Sequence, residues 1–218
     1  MRIKVLTLTT SCIFMAGSAI NANAAALNSP VSDYNSKAAS SVIAVNNALD
    51  DRAQDFIIAM AQRGIDFLAN PELSLEQRKA EFKQLLQENF DIKTLARFSL
   101  GRYWNMATEE QKKEYLRLFE KNVIEVYSKR FGDYEGQEFK VISARADGRA
   151  DAIVRSTIYA ENQTISIDWR VREKNGKLNV IDIIVEGVSM ATTQRSEFAS
   201  IIQRGGGNVE ALLVHLRQ

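Results

Sequence analysis

Cysteine is nearly absent from this chain, and its one residue of that kind, Cys12, falls in an N-terminal apolar segment. A single thiol builds no disulfide framework and no metal-thiolate site, so the domain must hold together by its core alone. Histidine is as scarce: the only one, His215, sits beside Leu212, Leu213 and Leu216 near the C-terminus and reads as a partly exposed helix residue. That argues against a Ser-His-Asp or Cys-His triad and against a histidine-built zinc site. A glycine-rich phosphate loop is missing too. Neither sign of charge dominates, with 28 Lys and Arg against 27 Asp and Glu, so there is no basic excess for nucleic acid or for tight adhesion to anionic lipid. Past the N-terminus no apolar run reaches the roughly 18 residues of a membrane span. No internal repeat or low-complexity block stands out.

What is present begins with an export signal. Arg2 and Lys4 make a short positive region, Val5 to Ile20 is mostly apolar, and Ala22-Asn23-Ala24 has the small-x-small pattern of a signal-peptidase site. The expected division is a signal peptide over 1–24, cleaved before Ala25, an N-terminal arm or helix over 25–51, and one domain over 52–218. A membrane anchor is the alternative, but Thr7, Thr9, Thr10 and Ser11 interrupt the run. Thr9-Thr10-Ser11 before Cys12 also lacks the apolar residue that lipoprotein processing favours. The mature chain would have 194 residues, with 26 basic and 27 acidic side chains. A domain of that size buries roughly 70% of its unfolded surface, enough for one core and an internal cavity.

From Arg52 the apolar residues Phe56, Ile57, Met60, Ala61 and Ile65 recur at helical spacing up to Asn70-Pro71. Ser74 with Gln77 and Thr108 with Gln111 read as capping boxes opening two further helices, the second extending to about Arg130. Between them Asp91 is an N-cap for a short helix that Gly101 can end. After Gly136 the period changes to two: 139–144, 150–159, 164–172 and 178–185 read as strands, joined by hairpins at Asp147-Gly148 and Asn175-Gly176. The fourth is apolar on most of both faces, which predicts a place in the middle of the sheet. Two short helices, 190–204 and 208–216, follow. The expected fold class is α+β: N-terminal helices packed on a twisted antiparallel sheet of four or five strands, two short C-terminal helices, and an internal apolar pocket. The abrupt passage from strand to helix through Glu186-Gly187-Val188-Ser189 suggests a packed concavity more than a surface turn.

Paired carboxylates are the remaining catalytic option. Asp182 and Glu186 share a strand face but, at strand rise, lie roughly 13 Å apart, too far for a glycosidase pair unless the strand bends. Capping and pairing with arginines are their expected roles.

Several short motifs occur in a fixed order: Phe90-Asp91, Leu95-Ala96-Arg97, Leu100-Gly101-Arg102-Tyr103-Trp104, Val185-Glu186-Gly187-Val188-Ser189, Gln194-Arg195-Ser196-Glu197-Phe198, Gly205-Gly206 and Leu212-Leu213. Together they resemble the MlaC family, also called the toluene-tolerance family of periplasmic lipid-binding proteins, over roughly Phe56 to Leu216. The chain departs from that pattern at Gly176-Lys177-Leu178, where many members have a tryptophan. The resemblance implies a non-enzymatic carrier in the periplasm of a Gram-negative bacterium, passing phospholipid between an inner-membrane ABC transporter complex and an outer-membrane lipoprotein complex and so maintaining outer-membrane lipid asymmetry. No cofactor is implied beyond phospholipid as cargo, nucleic acid is not a partner, and a monomer is expected. A periplasmic adaptor without stoichiometric lipid, or a carrier of another lipid such as a hopanoid, is the alternative.

On that resemblance the expected acyl-chain wall is Val154, Ile158, Ile165, Ile167, Trp169, Val171 and Ile184 of the sheet, curving over Phe98, Val188, Met190, Phe198 and Ile202. The alternative is that half of these simply fill the core. Arg102 and Arg195 are the head-group candidates, because a guanidinium presents paired donors to phosphate oxygens. Ion pairs to Glu186, Asp182 or Asp91 are the competing role.

Overall fold

The computed structural model describes the backbone of residues 36–161 and 163–218, with side chains from residue 49 onward. The expected signal peptide and its cleavage site lie outside the described residues. Contacts divide the chain into two units, the second being Val45–Gln218, and everything below concerns that unit. Six helices and five strands follow one another: α1 (Ser36–Ala69), α2 (Leu75–Asn89), α3 (Ile92–Leu100), a 3₁₀ turn (Gly101–Asn105), α4 (Glu109–Ser128), a second 3₁₀ turn (Phe131–Asp133), β1 (Glu138–Ala146), β2 (Asp151–Ala160), β3 (Gln163–Lys174), β4 (Lys177–Val185), β5 (Val188–Ser189), α5 (Met190–Arg204) and α6 (Val209–Arg217). Helix α1 thus begins inside the segment expected as an arm or first helix.

Local chemistry explains the boundaries. Both expected capping boxes form: the hydroxyls of Ser74 and Thr108 accept from the backbone N–H of Gln77 and Gln111, whose side chains bond back. The Asp91 carboxylate accepts from the Thr94 N–H and opens α3. Asn175-Gly176 and Glu186-Gly187 each have positive φ at both residues, the two-residue turn that suits tightly joined antiparallel strands. Asp147-Gly148 belongs instead to a four-residue loop closed by Asp147 N–H donating to the Asp151 carbonyl.

The five strands form one antiparallel meander in the order β1-β2-β3-β4-β5. This corrects the expected central place of β4: β3 occupies the middle. The outer edge of β4 carries a bridge from Phe90 to Val180, whose carbonyl accepts from the Asp91 N–H at 3.1 Å, and the two residues of β5. Its two-faced apolarity arises because α2, α3 and α5 all pack against it. The passage to α5 is likewise a tight hairpin turn with Glu186 and Gly187 exposed, not the concavity expected there.

Two apolar clusters hold the unit together. In the first, Leu49, Ala53, Ile57, Met60 and Phe67 of α1 pack with Leu85 and Phe131 onto Ala152, Val154, Val171 and Val180 of the sheet. The second belongs to the helices alone: Ala96, Leu100, Tyr103, Tyr115, Leu118, Phe119, Phe198, Ile202, Leu212 and Leu213. At about 1.5–3 kcal/mol per fully buried large apolar side chain, each cluster is a substantial stabilising term. Helices α5 and α6 approach so closely that a Cβ on Gly205 would lie 2.1 Å from the Cβ of Ala211.

Candidate functional site

Strand register sorts the sheet's side chains into rows. On one face run Ala146-Ala152-Val171-Val180, then Ala144-Val154-Trp169-Ile183, then Val141-Ser156-Ile167-Val185-Val188, then Phe139-Ile158-Ile165. The first two rows, Ala146 apart, belong to the cluster formed with α1, and Phe139 and Val141 at the β1 end of the outer rows pack against it as well. The rest of the outer rows extends the apolar floor past that cluster: Ile158, Ile165, Ile167, Val185 and Val188 belong to neither cluster. Ile165 and Ile167 are buried, Ile158 and Val185 half-buried, and Val188, at the end of its row, is 40% exposed.

The polar residue set into these rows is Ser156, fully buried. The Trp169 indole N–H donates to its Oγ at 2.8 Å, and that hydroxyl in turn lies 3.4 Å from the Ile167 carbonyl oxygen it donates to. Phe139 stands edge-on to Trp169, its ring centroid 6.4 Å away, within the roughly 4.5–7 Å such pairs prefer. The floor therefore presents hydrocarbon and aromatic carbon, with its polar atoms already bonded to each other. Two open grooves, of about 440 Å³ between α2 and α4 and about 470 Å³ beside Arg52 and Lys177, are lined mostly by charged and polar groups and include none of the outer-row residues.

Of the expected wall, Val154, Ile158, Ile165, Ile167, Trp169, Val171 and Val188 share this face. Val154 and Val171 lie in the contact with α1 rather than beyond it. Ile184 does not join them. It pairs with Asp168 and so points from the opposite face, because a register shift after Arg170 fixes which β4 residues align with the apolar rows. Phe198 and Ile202 are buried in the helical cluster, Phe198 against Tyr115 and Phe119. Phe98 is exposed on α3, and Met190 is half-buried at the start of α5. Val141, Phe139 and Val185 complete the outer rows and were missed by sequence reasoning. Their signal, alternation in β1 and β4, becomes readable only once the register is known.

The opposite face is ionic. Arg155 grips Asp168 through two hydrogen bonds of 2.7 and 2.8 Å, Arg172 grips Asp151 through two of 2.7 Å, and Arg170 reaches Asp147 at 3.2 Å. The Arg155 hydrogen bonds hold the Asp168 carboxyl below its usual range. Asp182 serves structure: it accepts from the Ser189 hydroxyl at 2.6 Å and the Ala191 N–H at 3.1 Å, which fastens the start of α5 to β4. Glu186 accepts from the Ser166 N–H. The two carboxylates thus turn to separate backbone partners. His215 is exposed on α6.

Arg102 and Arg195 pair with none of the acids expected for them. Arg102 stacks 4.9 Å above the Tyr103 ring and donates to its hydroxyl at 2.9 Å, and Arg195 lies 5.3 Å above Phe98.

A family model described as MlaC protein matches residues 59–218. The toluene tolerance protein ttg2D of Pseudomonas putida is 24% identical over 110 residues, covering 50% of this chain and 51% of that protein. The intermembrane phospholipid transport system binding protein MlaC of Haemophilus influenzae is 24% identical over 124 residues, covering 55% of this chain and 57% of that protein. The chain spans about half the length of these curated relatives. Among solved structures, a phospholipid-binding protein of Ralstonia solanacearum in complex with a phospholipid superposes with a TM-score of 0.66 at 24% identity, over 76% of this chain and 94% of that one. That likeness establishes the fold.

Proposed function

The chain belongs to the MlaC family, and from that premise we propose that it is a non-catalytic periplasmic carrier of phospholipid. Its acyl-chain floor is the pair of outer rows, with Ile158, Ile165, Ile167 and Val188 in contact with cargo and Trp169 at the boundary with the core. The observation that carries this reading is an apolar sheet face that continues beyond the cluster formed with the described side chains of α1, its one polar group closed on Trp169. A phospholipid with about 30 methylenes would cost on the order of 20 to 25 kcal/mol to pass bare through water. A protein that covers the chains removes that barrier. Because bilayer and protein both bury hydrocarbon, transfer between them is close to balanced and needs no chemical step. The relatives' names, one of which specifies intermembrane phospholipid transport, agree with this direction. The finer reading places the carrier between an inner-membrane ABC transporter complex and an outer-membrane lipoprotein complex in a Gram-negative envelope.

The test uses variants on the outer rows. Ile158→Glu and Val188→Glu place a carboxylate where methylenes would lie, at half-exposed positions that tolerate it, and should abolish phospholipid recovered in an organic extract while circular dichroism stays native. Normal recovery from both variants would refute the assignment of the floor. Val154 is unsuited to this test, since it is fully buried against α1 and a charge there would unfold the protein.

A further inference from the structure

Charge on this protein is balanced overall but not locally. On α3, the 3₁₀ turn that follows it and α5, which packs against both, Arg97, Arg102 and Arg195 are exposed and each lies over an aromatic ring: Arg97 5.9 Å from Trp104, Arg102 4.9 Å from Tyr103, Arg195 5.3 Å from Phe98. Lys93 is exposed on the same helix as Arg97 and Phe98. Among the described residues none of the three arginines forms an ion pair, whereas Arg155, Arg172 and Arg217 each grip a carboxylate with two nitrogens or pair with two acids. These guanidiniums are nevertheless held in place. Gly101 has φ 58°, and a Cβ there would lie 2.8 Å from Arg195 Nε, so the glycine provides the room in which Arg195 settles onto Phe98. The Tyr103 hydroxyl fixes Arg102.

A stacked guanidinium keeps its in-plane N–H donors available, and one whose side chain is already ordered loses less entropy on meeting an anion. We propose that this arginine-aromatic patch docks on the surface of a bilayer containing anionic phospholipid. Phe98, 43% exposed beside Arg195 and next to Arg97 in the chain, is a ring that can enter the acyl boundary while the guanidiniums meet phosphates. None of these residues belongs to the outer rows of the sheet, so vesicle docking and cargo binding can be read separately.

Flotation with vesicles tests this. The full chain should bind vesicles of phosphatidylcholine with about 30% phosphatidylglycerol, bind phosphatidylcholine alone far less, and lose binding as salt rises. Each of Arg97→Gln, Arg102→Gln and Arg195→Gln should weaken binding roughly fivefold, the effect of about 1 kcal/mol per cation near an anionic surface. Arg149→Gln, which removes the same charge from the exposed β1–β2 loop, should leave binding unchanged. Recovery of co-purified phospholipid should be unchanged in Arg97→Gln and Arg149→Gln. Equal binding to both vesicle types, or an Arg149→Gln loss as large as the others, overturns the proposal. Loss of co-purified lipid from Arg102→Gln and Arg195→Gln with vesicle binding intact also overturns it, and assigns these arginines to the cargo's head group. Failure of the wild type to bind either kind of vesicle overturns it as well.

Discussion

Ser156 decides how much of the sheet's apolar face can be continuous. A hydroxyl buried without a partner costs about 1–3 kcal/mol, and here it is satisfied by the Trp169 indole and the Ile167 carbonyl together. Ser156→Ala should leave the indole N–H unpaired, destabilise by about 1–3 kcal/mol, and alter tryptophan fluorescence. An unchanged melting temperature would mean the indole finds another acceptor. Gly205 is the residue where α5 and α6 come closest, and Gly205→Ala should cost about 1–3 kcal/mol through the clash with Ala211, a melting shift of several degrees. Asp182 was legible only as an acid on a strand face. Its role as anchor for α5 depends on the two-residue turn that swings Ser189 and Ala191 back onto it, and turn geometry at Glu186-Gly187 could be suspected from composition but not oriented.

Among the elements, the helices were the most legible, because caps are local: Ser74, Asp91 and Thr108 each satisfy N–H groups within three residues. Thr108→Ala should lower stability by about 1 kcal/mol, measured by urea denaturation, with the midpoint falling at constant m-value. Strand existence was legible from the period of two, and the facing of β2 and β3 with it. Strand order was not, because apolarity on both faces of β4 arises from helices that fold over a near-edge strand, a tertiary cause. Nor was the facing of Ile184, which a register shift decides. Ion pairs on both faces give the sheet a pH dependence. On the ionic face Asp168 is held below its usual range by the hydrogen bonds from Arg155, and on the α1 side Glu173 is held there by those from Arg52. A carboxyl more acidic in the folded than the unfolded chain stabilises above its unfolded value, near 4, and loses that contribution as pH falls through the folded value. Melting temperature should therefore hold from neutral pH to about 5 and fall below about 4, and a rise on acidification would contradict these pairings.

At the scale of the molecule, one sheet carries two different surfaces. One face binds charge to charge in arginine-carboxylate pairs, and the other continues as hydrocarbon past the cluster that the described α1 side chains form with it. That asymmetry, together with membership of the MlaC family, underlies the carrier reading. The candidate floor was partly legible before the fold, since seven of the twelve expected wall residues share its face. The others went to the helical cluster, to the surface or to the opposite face, since an apolar side chain in the sequence does not declare which of two cores it will enter. The central claim is that phospholipid is a stoichiometric cargo. Native mass spectrometry of the protein, purified without detergent from the cells that make it, tests this most directly. The account predicts a dominant species heavier than the processed polypeptide by one phospholipid, released on organic extraction. A dominant bare polypeptide, with no phospholipid in the extract, would contradict it.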